Sequence, residues 1–244
     1  MDLKKSFNGS TVLRGVNLEI PDEKVTAIIG RSGEGKSVLL KHLVGLIKPD
    51  SGQILVDGVD ITRLRGRRLD EVKKKFGMVF QGAALFDSLT VLENITFPLR
   101  ELTDKDEGEI NGIAEELLKE AGLSGKEDKY PDEISGGMKK RVALVRTLAL
   151  RPEYIFYDEP TTGLDPIIEN AIHELMMRCA KKIPCTDVLI SHNIGEVLQM
   201  ADKIAMLHEG VIIEAGTPEE IKNSDNPYVR QFLTGDTVGP IQLY

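Results

Sequence analysis

The sequence predicts an α/β fold in which buried strands alternate with amphipathic helices, with antiparallel strands at the margins and a helical segment inserted in the core. Three observations carry that expectation. A short apolar run, Val25 to Ile29, leads through the glycine-rich stretch Gly30 to Ser37 (GRSGEGKS) into a helical pattern from Val38 to Val44. Two more buried-type strands, Tyr154 to Tyr157 and Val188 to Ile190, end at Asp158-Glu159 and Ser191-His192. Between them Ile110, Ile113, Ala114, Leu117 and Leu118 recur at three- and four-residue spacing, the signature of a helix face.

Taken in order, Met1 to Pro21 holds extended pieces around Phe7-Asn8-Gly9, the second marked by Val12, Val16, Leu18 and Ile20. Phe7 is an aromatic ahead of a turn, which serves either as edge packing or as a ring to stack on a base. Gly30 to Ser37 fits G-x-x-x-x-G-K-[ST] at every fixed position. Gly30, Gly33 and Gly35 let the backbone bend around phosphate oxygens, Lys36 adds a point charge, and Ser37 offers a hydroxyl to Mg²⁺. Ser51-Gly52 and Asp57-Gly58 bracket a short antiparallel ribbon, Gln53 to Val56. A basic run from Arg63 to Lys75, interrupted by Asp70 and Glu71, reads as a solvated face rather than a lipid or partner contact.

Phe76 to Phe80 reads as a strand ending in Gln81, whose amide stands at the edge where ligands of such sheets bind. From Ser88 to Gly125 the pattern is helical, with Gly122 as a stop. Ser135-Gly136-Gly137-Met138 opens another helix, expected to run to Arg151 before Pro152; its bare first-turn amides form either an ordinary cap or a second anion site. At Asp158-Glu159 the two carboxylates have different reach, one towards a metal and one towards a water. Asp165-Pro166 opens a helix on which Ile167, Ala171, Leu175 and Cys179 recur, placing Cys179 in the core. His192 ends a strand where it could donate to a phosphate, whereas His42, His173 and His208 have no comparable setting. Two strands around Glu209-Gly210 and a helix from Thr217-Pro218 close the domain. A tail from Asp225 then runs past the obvious core elements.

Composition sets limits. The 244 residues are 41% hydrophobic and 29% charged, which suits a soluble globular chain with a sizeable core. A net charge of −8 argues against nucleic acid as the main partner. Two cysteines, Cys179 and Cys185, are too few for a disulfide framework and lack metal-ligand spacing. The start reads as neither signal nor transit peptide, and no apolar run approaches the ~18 residues that cross a bilayer.

In their order, Gly30 to Ser37, Gln81, Ser135 to Met138, Phe156 to Pro160 (FYDEP), Gly163 to Pro166 (GLDP) and His192 resemble the ATP-binding-cassette (ABC) transporter ATPases over nearly the whole chain. That resemblance implies a P-loop NTPase fold with a RecA-like core, an antiparallel β subdomain and an inserted helical subdomain. It assigns residues 1–224 to the ATPase domain, with about 88–152 as the insert, and 225–244 to a tail. It implies ATP and Mg²⁺ as cofactors. Phe7 takes the adenine-stacking place, and Gly30, Arg31, Ser32, Gly33, Glu34, Gly35, Lys36, Ser37 and Val38 make up the loop along the phosphates. Ser37, Gln81 and Asp158 face the metal, Glu159 polarises water, His192 braces the γ-phosphate, and Gln81 senses it. Ser135, Gly136 and Gly137 of a second copy cap the same γ-phosphate, so a head-to-tail homodimer is implied.

Phe80 to Phe86 (FQGAALF), Leu89 to Glu101, Met138 where most relatives carry glutamine, and VRQFLTGDTVGP from Val229 to Pro240 resemble the Mla-type (MlaF-like) phospholipid-transport ATPases. The partners so implied are an integral-membrane permease and an MCE-type substrate-binding or accessory protein. The place implied is the cytoplasmic side of the inner membrane, held peripherally. The chain departs from the family in having only Met1 to Ser6 before Phe7, in Val38 where a second hydroxyl is frequent, and in Gly163 where serine or alanine is. Three rivals stand beside this reading: a cassette ATPase for another cargo such as amino acids, a soluble cassette acting on DNA or ribosomes, and a P-loop kinase. Tyr228 to Tyr244, with Phe232, Leu233, Val238 and Leu243 outside the core, is expected to contact the partner ATPase.

Overall fold

The computed structural model describes residues 1–242. Leu243 and Tyr244 of the expected dimer contact lie outside the described residues. The elements follow in chain order. The hairpin β1 (Leu3–Phe7) and β2 (Ser10–Val16) turns at Asn8-Gly9, both at positive φ (50° and 81°), the conformation a tight hairpin turn demands. Next come β3 (Val25–Ile29), α1 (Lys36–Leu43), the ribbon β4 (Leu55–Val56) and β5 (Val59–Asp60), and α2 (Arg67–Lys73). Then follow β6 (Phe76–Val79), α3 (Val91–Leu102), α4 (Glu107–Glu120), α5 (Gly136–Leu148), β7 (Tyr154–Asp158) and α6 (Pro166–Lys182). The chain continues with β8 (Thr186–Ile190), α7 (Ile194–Met200), β9 (Lys203–His208), β10 (Val211–Gly216), α8 (Pro218–Lys222) and α9 (Pro227–Thr234).

These elements form two compact units, Met1–Phe76 with Thr186–Tyr244, and Gly77–Cys185. In the first, β3 lies between β8 and β9, parallel to both, and β10 closes the β9 edge antiparallel. Ala27, Ile28 and Ile29 are fully buried and every residue of β8 is buried, as expected where both faces of a parallel sheet are covered. The basic run is exposed and partly self-neutralised through Arg63–Asp60, Arg67–Glu71 and Lys75–Asp57, which fits the solvated face.

The tail departs from expectation. Residues 227–241 do not stand outside the core: Val229 and Ile241 belong to the same buried cluster as Ala27, Ile29, Val197, Ile204 and Met206, with Tyr228, Phe232 and Leu233 packed against it. The reason is amphipathicity: α9 carries Val229, Phe232 and Leu233 at helical spacing, and they cover the sheet of their own chain. Among the described residues of that set, Val238 stays out, 88% exposed.

In the second unit β7 lies beside β6, and α5 packs against α3, α4 and α6. The helical stretch splits into α3 and α4 because Thr90 and Asp106 each make a capping box with the glutamate three residues on. Helix α5 stops at Leu148, short of the expected Arg151. Arg151 takes a left-handed φ of 48°, since Pro152 disfavours a helical residue before it. Cys179 is core, and burial pushes its thiol up to about 11, so it stays protonated and unreactive. Among the described residues no helix is long and apolar enough to cross a membrane.

Candidate functional site

In the first unit the site starts where β3 ends. Gly30 has φ 146°, and a Cβ there would lie 2.3 Å from the Leu207 carbonyl oxygen, so no other residue fits. Gly35, at φ 99°, is the N-cap of α1 and brings no side-chain acceptor to its first turn. Gly33 has φ 85° with open space beside it, and with Ser32 forms the exposed crest of the loop. Lys36 is 5% exposed and its Nζ donates to the carbonyls of Gly30 (2.7 Å) and Arg31 (2.8 Å), which keeps the ammonium inside the loop. A glycine-rich turn at a helix N-terminus beside a buried cation is chemically suited to an anion such as phosphate.

The neighbouring residues are held as well. Arg31 donates from Nη1 to the Gln242 carbonyl at 2.9 Å. The Glu34 carboxylate meets His208 Nδ1 at 3.1 Å and accepts from the Glu209 amide. Ser37 and Val38 are half-buried in the first turn of α1. Phe7 ends β1 with 42% exposure, its ring beneath the Lys5 ammonium at 5.2 Å, so a face remains for stacking. His192 follows β8 on the surface, and the turn carrying it is fixed by Ser191 donating to Glu196 and by Asn193 capping α7.

In the second unit Asp158 ends β7, 9% exposed, and Glu159 follows at φ 48°, in the left-handed region. Glu159 accepts from Gln81 Nε2 at 3.3 Å and from Thr162 Oγ1 at 3.0 Å. The expected metal-facing groups, Ser37, Gln81 and Asp158, offer hydroxyl, carboxamide and carboxylate oxygens, the hard donors that suit Mg²⁺. Ser135 caps α5 by accepting from the Met138 amide at 3.3 Å, and Gly136 is exposed beside it. Gly137 is buried, and a Cβ there would lie 2.5 Å from Ile168 Cγ2.

The structure thus brings Gly30, Arg31 and Lys36 together in one unit, and Gln81 with Glu159 in the other. It also shows what the sequence concealed. Lys140, buried on α5, donates to the Gln81 carbonyl; burial lowers its pKa, and the nearby Glu159 charge acts against that. Arg146 forks onto the carbonyls of Ala84 (2.7 Å) and Ala83 (3.0 Å), and Thr147 donates to the Met78 carbonyl at 3.2 Å. The face of α5 that holds β6 and the loop after it is therefore polar. Its only trace in the sequence is cations set among Val142, Ala143 and Val145. His208, given no role by sequence, is a direct partner of the phosphate loop.

A family model described as "ABC transporter" matches residues 13–162. The chain is 44% identical over 241 residues to "Probable ribonucleotide transport ATP-binding protein mkl" of Mycobacterium leprae (strain TN), spanning 99% of this chain and 70% of that protein. It is 42% identical over 228 residues to "Intermembrane phospholipid transport system ATP-binding protein MlaF" of Haemophilus influenzae, spanning 93% of this chain and 86% of that one. Among solved structures, a dimeric post-hydrolysis state of the ATP-binding cassette MJ0796 bound to ADP and Pi superposes with TM-score 0.81 at 30% identity, covering 89% of this chain and 97% of that chain.

Proposed function

Because the chain belongs to the ABC transporter family and is an ATPase subunit whose hydrolysis is coupled to transport, we propose that its cargo is phospholipid, moved through a separate integral-membrane permease. The observation that carries the cargo is the 42% identity to a phospholipid-transport ATP-binding protein over 93% of the chain, together with the FQGAALF run after β6 and Met138 in the signature stretch.

The roles are those the family resemblance implies, and the geometry of the phosphate loop and of Glu159 supports them. The amides of Gly30 to Ser37 and the buried Lys36 ammonium hold the phosphate chain, and Phe7 offers its ring face to adenine. Ser37, Gln81 and Asp158 would hold Mg²⁺, which would supply charge neutralisation at the transferred phosphoryl group. Glu159 orients the attacking water and takes its proton, and Gln81 holds Glu159 through Nε2. His192 donates to the γ-phosphate. Ser135 to Gly137 of a second copy present amides and a helix dipole to that same γ-phosphate, so the working unit is a head-to-tail homodimer. Val238 is the part of the tail that stands out to meet the partner ATPase. The dimer rides on the permease at the cytoplasmic side of the inner membrane, with an MCE-type or accessory protein completing the complex.

The test is to isolate the chain from native membranes with its permease, reconstitute the complex in proteoliposomes, and follow ATP-dependent transfer of a fluorescent phosphatidylethanolamine. Transfer that needs hydrolysable ATP is expected. A complex that moves an amino acid or a ribonucleoside and leaves phospholipid in place would overturn the cargo. A ribonucleotide-type cargo is the second reading, because a relative with that description is 44% identical.

A further inference from the structure

We infer that α9 and the segment returning from it, residues 226–242, are a positioning element for the phosphate loop that sets ATP affinity by anchoring the loop through Arg31 and holding the Glu34 carboxylate away from the phosphates; this rests on the ATP-site reading above. Two arms reach the loop from this segment.

The first arm runs through Gln231. Its side chain, 7% exposed, donates from Nε2 to the carbonyls of Asp236 (3.1 Å) and Ile241 (3.2 Å) and accepts from the Ile241 amide at 2.7 Å. One buried amide thereby satisfies both backbone groups of Ile241 as a neighbouring strand would, and leaving them unmet is costly. Gly239 is required at the crossing, since a Cβ would lie 2.4 Å from that amide. The clamp fixes Ile241 in the cluster with Ala27 and Ile29, the strand that delivers Gly30, and presents the next carbonyl, Gln242, to the Arg31 guanidinium at 2.9 Å.

The second arm runs through Tyr228. Its ring packs on the His208 ring with centroids 4.9 Å apart, and His208 Nδ1 meets Glu34 Oε1 while the Glu209 amide donates to the other oxygen. Arg31 and Glu34 flank the exposed crest, Ser32-Gly33. Released, the Glu34 carboxylate would compete with phosphate for the loop amides and repel its charge; held, it is engaged by His208 and the Glu209 amide. The fold therefore stores the one acidic side chain of the loop against β9 and the tail.

The test uses the full chain and its Gln231→Ala, Tyr228→Ala and Tyr228→Phe variants, comparing equilibrium binding of a fluorescent ATP analogue, kcat and KM for ATP, and thermal melting. Gln231→Ala and Tyr228→Ala are expected to bind three- to tenfold more weakly with kcat changed less than twofold. Tyr228→Phe keeps the ring and should match the parent, and Glu34→Gln added to Tyr228→Ala should recover most of the lost affinity. Folded variants that bind as tightly as a binding parent would overturn this inference alone. Affinity, turnover and melting temperature falling together would also overturn it, because a merely structural role predicts that. A parent that binds no ATP would overturn the phosphate-loop reading itself.

Discussion

Replacing Arg146 by methionine tests how the loop bearing Gln81 is held. Arg146 spans the carbonyls of Ala84 at 2.7 Å and Ala83 at 3.0 Å, and both alanines have left-handed φ, 48° and 62°. Each left-handed alanine costs about 1 kcal/mol, so the loop keeps this shape only while something outside it pays. A hydrogen bond from a charged donor is worth about 1.5–3 kcal/mol. The buried Ala83 carbonyl loses that in full, whereas the exposed Ala84 recovers much of it from water. Burial lowers the Arg146 pKa, so the charge is itself held at a desolvation cost that methionine returns in part. The net expectation is a loss of about 2 kcal/mol, or a melting temperature about 4–8 °C lower for a chain of this length. Calorimetric or fluorescence melting measures it, and steady-state hydrolysis should fall alongside, since Gln81 lies two residues before Ala83. Arg146→Lys, with one donor arm in place of the fork, should lose about half as much. A methionine variant melting within about 1 °C of the parent at unchanged turnover would refute the reasoning.

Four further outcomes are expected. Glu159→Gln should lower turnover by about 10²–10⁴-fold while ATP still binds, as measured by phosphate release beside nucleotide binding. Gly30→Ala should abolish ATP binding even where the chain folds, because its Cβ would meet the Leu207 carbonyl at 2.3 Å; binding within threefold of the parent would contradict this. Chelating divalent metal should stop phosphate release yet leave ATP bound, if Ser37, Gln81 and Asp158 hold Mg²⁺. His42 is buried with Nδ1 2.7 Å from the Val38 carbonyl, and burial lowers its pKa from 6.5. Its neutral form suits the fold, so the stability tied to it is complete above pH 6.5 and lost as pH falls through the window below. Melting curves from pH 5 to 8 should therefore be flatter at the acid end for His42→Leu than for the parent.

The strands, the phosphate loop and the cap of α5 were legible because each is local: Gly30 to Ser37, Ser135 and Asp165 carry their geometry within a few residues. The family motifs were legible in their order for the same reason. What stayed hidden depends on pairings distant in sequence. Nothing near Glu34 announces His208, and nothing near Gln81 announces Lys140, because each pair is made only once the chain has folded. The tail was misplaced because α9 carries its apolar residues on one face, and a sequence does not say whether such a face meets its own sheet or another chain; Ile241 and Val229 settle it for the same chain. The early end of α5 was readable in principle from Pro152, yet the helix stops at Leu148, so the break reaches further back than Arg151, the residue before the proline.

The most direct measurement for the central claim is the mass of the Glu159→Gln variant by light scattering, with ATP and with no nucleotide, beside hydrolysis by the parent chain. An ATP site shared between two copies predicts that ATP doubles the variant's mass, that the apo form stays single, and that the parent hydrolyses ATP while the variant does not. A variant that binds ATP and remains a monomer beside a hydrolysing parent would contradict the shared site, and with it the role given to Ser135, Gly136 and Gly137.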